Sequence, residues 1–167
     1  MPTKADITSS IAKELRIIAH LTAKLQPAQL AFRFTPAQRS TQELLEYLAV
    51  TAEGAVSALL TGSWAVWEKR EEEVKDLDLA RFPAVFAAQQ QAVESLLAPF
   101  SEAQFAAKRV INHQGKDVAL AEALFEGIVK QLVGYKTQLF LQAKAAGLAS
   151  LGSANLWRGE DAAAKAV

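Results

Sequence analysis

Between Asp6 and Leu25 the apolar residues Ile7, Ile11, Leu15, Ile18 and Leu25 fall three, four or seven positions apart. Successive helical positions turn by about 100°, so these side chains share one face of a helix. The same period returns in three later stretches, each bounded by proline or glycine. A chain written this way has four apolar helix stripes to bury, and they bury most simply against one another. Alanine and leucine, both good helix formers, dominate between the breaks. The alternation that marks a strand is lacking, apart from a short extended piece expected within Phe105–Ile111.

Start and stop signals give the boundaries. The first helix is expected over Asp6–Leu25, with Pro27 at its exit. Ser40 followed by Glu43 forms a capping box, which opens a second helix running to about Leu60. Leu44, Leu45, Leu48, Ala52, Ala55 and Leu59 make its buried stripe, and Gly62 ends it. Pro83 suits the first turn of a third helix reaching Ala98, with Val85, Phe86, Val93, Leu96 and Leu97 inward. Pro99–Lys116 then reads as a long crossover with a turn at "NHQGKD". A fourth helix is expected from Asp117, as N-cap, to Ala146, with Gly147 as C-cap. The expected fold is all-α: a four-helix bundle with a long crossover before the last helix, in one domain spanning 1–167. Residues 148–167 form a less regular tail, in which Leu156 and Trp157 are expected to dock and the last residues to fray.

Composition narrows the function classes. Lysine plus arginine number 18, and aspartate plus glutamate also 18, so no basic excess points to nucleic acid. There is no cysteine, which removes disulfides, Cys-ligated zinc and a thiol nucleophile. No signal-peptide core opens the chain and no uninterrupted apolar run of membrane length occurs, so a soluble, cytoplasmic protein is expected. The stretch "SWAVWEKREEEVKDLDLAR" joins Trp64 and Trp67 to a charge run. The charges suit a solvated loop or helical extension, and the tryptophans either cover one end of the core or serve a subunit contact. His20 is expected at the surface, opposite the first stripe, and His113 in a solvated loop.

Chemistry in a helix bundle is built from polar side chains that project inward. On the wheel of the last helix, Tyr135 falls within the arc of Leu124, Ile128, Leu132 and Leu139, with Gln131 at its edge and Gln138 and Gln142 nearby. Tyr47 flanks the second helix near Thr51, and Gln89 lies within the stripe of the third. These, with Glu43 beside Tyr47, are the candidates for a polar pocket. Tyr47, Gln131 and Tyr135 either hydrogen-bond to one another and close the space or line a small open pocket.

The stretch "TPAQRSTQELLEYLAV" and the later "QLVGYKTQLFLQAKAAG" resemble the second-helix entry and last-helix pattern of the DinB/YfiT-like proteins. The resemblance spans the first helix to Gly147. It implies a four-helix bundle, commonly dimeric, in which three histidines bind a metal. Those histidines would fall at Tyr47, Gln131 and Tyr135, none of which is histidine here. A phenol must first lose a proton of pKa about 10, and a neutral amide is a poor ligand for borderline metals. The resemblance therefore implies a degenerate metal site, with no metal and no cofactor expected. The expected function is a homodimeric scaffold or a binder of a small organic molecule. The alternative is a transferase or hydrolase, metal-dependent or metal-free, working in a non-standard polar pocket between the second and last helices.

Overall fold

The computed structural model describes residues 2–162, and the chain over that span is mostly helical. Helix α1 (Lys4–Thr22) starts with a reciprocal cap between Thr3 and Asp6 and buries Ile7, Ile11, Leu15 and Ile18 as the stripe requires. Helix α2 (Thr41–Thr61) is capped by the expected Ser40–Glu43 box. It ends on Gly62, whose φ of 74° is the left-handed value that glycine adopts without a Cβ penalty. By length and composition α2 could cross a membrane, but most of it is buried within this fold. Helix α3 (Ala65–Val74) carries the charge run, with only Val74 fully buried. Helix α4 (Phe82–Leu97) has Pro83 in its first turn and points Phe82, Phe86, Val93 and Leu97 inward. Val85 and Leu96 are only half-buried.

The crossover is more structured than the sequence suggests. A short helix α5 (Glu102–Ala107) buries Phe105, and β1 (Arg109–Ile111) then pairs antiparallel with β2 (Asp117–Ala119). Asn112 closes the connecting turn: its side-chain oxygen accepts from the backbone N–H groups of Gln114 and Lys116. Asp117 is therefore not a helix cap. It pairs with Arg109 across the hairpin at 3.0 Å, and the following helix begins three residues later.

That last helical run has three parts: α6 (Leu120–Leu124), a π-helical turn (Phe125–Val129) and α7 (Lys130–Ala145). A π turn takes up about one extra residue relative to an α turn, so side chains beyond it are rotated from their wheel positions. The inward slot expected for Tyr135 belongs instead to Lys136, which is 1% exposed, and Tyr135 turns to the flank.

The long helices pack around a shared core: α1 lies beside α4, α4 beside α2, α2 beside α7, and α7 beside α1. Helix α3 lies along α2, and a last short helix, α8 (Ser153–Arg158), packs on α1 and α7. The buried apolar cluster runs from Ile7 to Leu156. Leu156 docks as expected, whereas Trp157 is 55% exposed. The final residues expected to fray, from 163 on, lie outside the described span.

Candidate functional site

Tyr47 is the hub of the candidate site. It projects from the flank of α2 toward α7, where the Gln131 side-chain amide donates a hydrogen bond to its phenolic oxygen. The Tyr135 ring meets it edge-on, with centroids 4.9 Å apart at 65°. The Trp67 ring from α3 meets it from another side at 5.7 Å and 66°. The Arg39 guanidinium lies 4.1 Å from the Tyr47 ring centroid and 5.8 Å from that of Tyr135. Edge-on aromatic pairs and a cation over a ring face are both attractive, so the Tyr47 ring is clamped in one orientation. The structure thus brings together Tyr47, Gln131 and Tyr135, from two helices far apart in sequence.

Burial holds the Tyr47 phenol above its ordinary pKa of 10, with the neighbouring Tyr135 phenol adding to the effect and Arg39 opposing it. Near neutral pH the hydroxyl is a hydrogen-bond donor and acceptor, not a base.

The other candidates are placed differently. Glu43 accepts from the Ser40 backbone N–H at 2.6 Å and pairs with Arg33 at 3.2 Å. Chiefly that backbone donor, aided by the Ser40 hydroxyl and Arg33, keeps its carboxyl below the usual range. It is committed to the helix cap, and lines a smaller, acidic hollow of about 330 Å³ that also borders Tyr47. Thr51 is fully buried and donates to the Tyr47 carbonyl oxygen at 2.7 Å, so its hydroxyl is spent within α2. Gln89 is also buried, but it serves α2 rather than the site. Its oxygen accepts from the Ala52 N–H at 3.0 Å and its amide donates to the Leu48 carbonyl at 3.0 Å. Gln142 donates to the Arg39 carbonyl at 2.9 Å, and so ties down the loop that carries the guanidinium.

Tyr47 and Gln131 form part of the wall of a cleft of about 970 Å³, between α2, α3, the hairpin and the π turn. A volume of this order suits a drug-sized organic ligand. Its apolar wall includes Trp64, Trp67, Leu59 and Ile111, of which Trp64 and Ile111 are 51% and 63% exposed. Neither tryptophan is simple core cover: Trp67 packs partly on the core, and both line this cleft. Glu126 and Lys130, which pair with each other, stand at the same cleft with His113 from the hairpin turn. Glu126 thus lines the same cleft as Gln131, while Tyr135 lies outside that lining.

Position-by-position sequence reading gives Tyr47 and Gln131 but misses the cleft, whose walls come from α3 and the hairpin. The two tryptophans beside the charge run were the available signal, since large aromatic side chains are enriched at binding surfaces. Among the described residues no group of three histidine, cysteine or acidic side chains gathers as a metal site. Comparison of the chain with family models, curated proteins and solved structures gives no match.

Proposed function

We propose that the protein is a DinB/YfiT-like four-helix bundle that binds a small organic molecule in the cleft beside Tyr47 and Gln131, without a metal. The observation that carries this is the meeting of Tyr47, Gln131 and Tyr135 at the edge of a large apolar cleft walled by two tryptophans. The residues do not suit the three-histidine metal of such proteins. Gln131 offers a neutral amide, and the Tyr47 phenol is held in its protonated form. The Tyr47 phenol stays protonated and Glu43 beside it is committed to the helix cap, which favours binding over group transfer. A homodimer belongs to the same proposal, through the family resemblance alone.

Trp64 and Trp67 report on the cleft directly. In a titration with 1-naphthol, a neutral bicyclic probe, tryptophan emission should change in a saturable one-site manner. The Trp64→Ala variant should bind much more weakly, while a Trp157→Phe variant keeps wild-type affinity. No saturable binding, or binding indifferent to Trp64, would refute a ligand role for the cleft. A stoichiometric transition metal in protein purified without a metal-affinity step would refute its metal-free character.

A further inference from the structure

The polar chemistry of the cleft is concentrated in one pair. The Tyr47 oxygen accepts from the Gln131 amide. Among the described residues the phenolic proton has only the Tyr135 phenol to turn to, and the Gln131 carbonyl oxygen has no donor. Neither oxygen is stranded: the Tyr47 oxygen is paired, and the Gln131 carbonyl oxygen is not among the sealed, unpartnered atoms. The pair thus offers one donor and one acceptor side by side at the cleft wall. Exchanging the nitrogen and oxygen of the Gln131 amide would keep one donor and one acceptor but swap which residue supplies each. The phenol would then donate to the carbonyl, leaving the amide N–H as donor and the phenolic oxygen as acceptor.

The surroundings state what else the ligand must be. Trp64 and Trp67 stand at 5.7 Å and 77° to one another and present aromatic surface to the cleft. Flat rings pack on such surface. The formal charges of Glu126 and Lys130 cancel in their own pair, so the cleft holds no net charge from them to match. The Tyr47 ring is fixed by Arg39, Trp67 and Tyr135, so little order is lost when its hydroxyl takes up a partner.

We infer that the cleft takes an uncharged, planar heteroaromatic ring with a lactam edge, its N–H beside its C=O, paired with Gln131 and Tyr47. The inference rests on the binding role proposed above. The ligand carbonyl accepts from the Tyr47 hydroxyl, the ligand N–H donates to the Gln131 carbonyl, and the ring lies against the tryptophans. A site built to hydrogen-bond an N–H rejects an analogue that lacks it, because the protein group is left unpaired.

The test compares 2-quinolinone with N-methyl-2-quinolinone by calorimetry on the full chain. The methyl group removes the N–H and keeps the ring and carbonyl. 2-Quinolinone should bind at least about tenfold more tightly, the size of effect expected for one hydrogen bond in a fixed site. In Gln131→Leu the ratio should fall to about one, for lack of the acceptor. Tyr47→Phe, which removes one oxygen and keeps the ring, should weaken both compounds while the preference persists. This variant also serves if Gln131→Leu does not fold, as judged by circular dichroism. Equal binding of the two quinolinones to the wild type, or a preference unmoved in folded Gln131→Leu, would overturn the lactam assignment. If neither quinolinone binds but 1-naphthol does, the lactam assignment alone is overturned. If none of the three binds, the binding role falls with it.

Discussion

The Asn155 amide donates to the His20 imidazole nitrogen at 3.0 Å and to Asp161 at 3.0 Å, while its oxygen accepts from the Gly152 N–H at 2.8 Å. This last bond fixes the amide, so His20 must present a lone pair and is neutral. Burial, with Lys24 adding, lowers its pKa from the ordinary 6.5, and Asp161 and Glu160 oppose the shift only partly. A depressed histidine binds fewer protons folded than unfolded, so stability rises with pH. The contribution is whole above the unfolded pKa of about 6.5 and declines as pH falls through that value, levelling below the folded pKa. Urea midpoints between pH 8 and pH 5 should therefore fall on acidification, and His20→Gln should flatten that slope. Lys136 gives a second case. It lies 2.6 Å from Glu14, with side-chain exposures of 1% and 11%, as a close charge pair and not an aligned hydrogen bond. Lys136→Met should cost about 3–5 kcal/mol by leaving a buried carboxylate alone, and Glu14→Leu added to it should restore most of that. Lys136 was legible in the sequence, four before Phe140 and seven before Ala143 on the inward face, had the wheel been reset after the π turn. His20 was not, because its partner lies 135 residues away.

Among the elements, α1, α2 and α4 follow from caps, prolines and apolar spacing, since those signals are local. The hairpin and the π turn do not: each depends on contacts that a three-residue strand or a single helical turn cannot specify alone. Why α3 lies so close to α2 is also hidden, and it turns on Gly54. A Cβ there would come within 2.9 Å of the Trp67 ring and 3.1 Å of its backbone Cα. Alanine gains about 1 kcal/mol of helix propensity over glycine, but overpacking against backbone costs about 1–3 kcal/mol. The second effect should win at this site. Gly54→Ala should lower stability, move Trp67 and change binding in the cleft. Gly134→Ala is the control, because a Cβ there meets nothing within 4 Å. It should stabilise by about 0.5–1 kcal/mol in thermal denaturation, with Trp67 emission unchanged.

At the scale of the whole molecule, two structures on different sides of the core share no residue. The cleft is built by α2, α3, the hairpin and the π turn, while α8 seals the seam between α1 and α7. There Ala154, Asn155 and Leu156 are buried, and a Cβ at Gly159 would come within 3.2 Å of the Ile17 side chain, tighter than an ordinary contact. The Trp157 ring lies 5.0 Å from the Lys136 amine, so α8 also covers the buried ion pair. Ending the chain after Gly152 removes the burial of Leu156, the Asn155 bonds and that cover. Leu156 alone accounts for about 1.5–3 kcal/mol, and a total near 3 kcal/mol would lower the melting temperature by about 6–12 °C in a domain of this size. Sites that share no residue or partner act additively, so 1-naphthol affinity well below the midpoint should stay at the full-length value. Truncated protein that melts as before would show that α8 rests on the core without stabilising it. Truncated protein that stays folded but loses the ligand would show that the seam and the cleft are coupled through α7, the one helix that carries both Lys136 and Gln131.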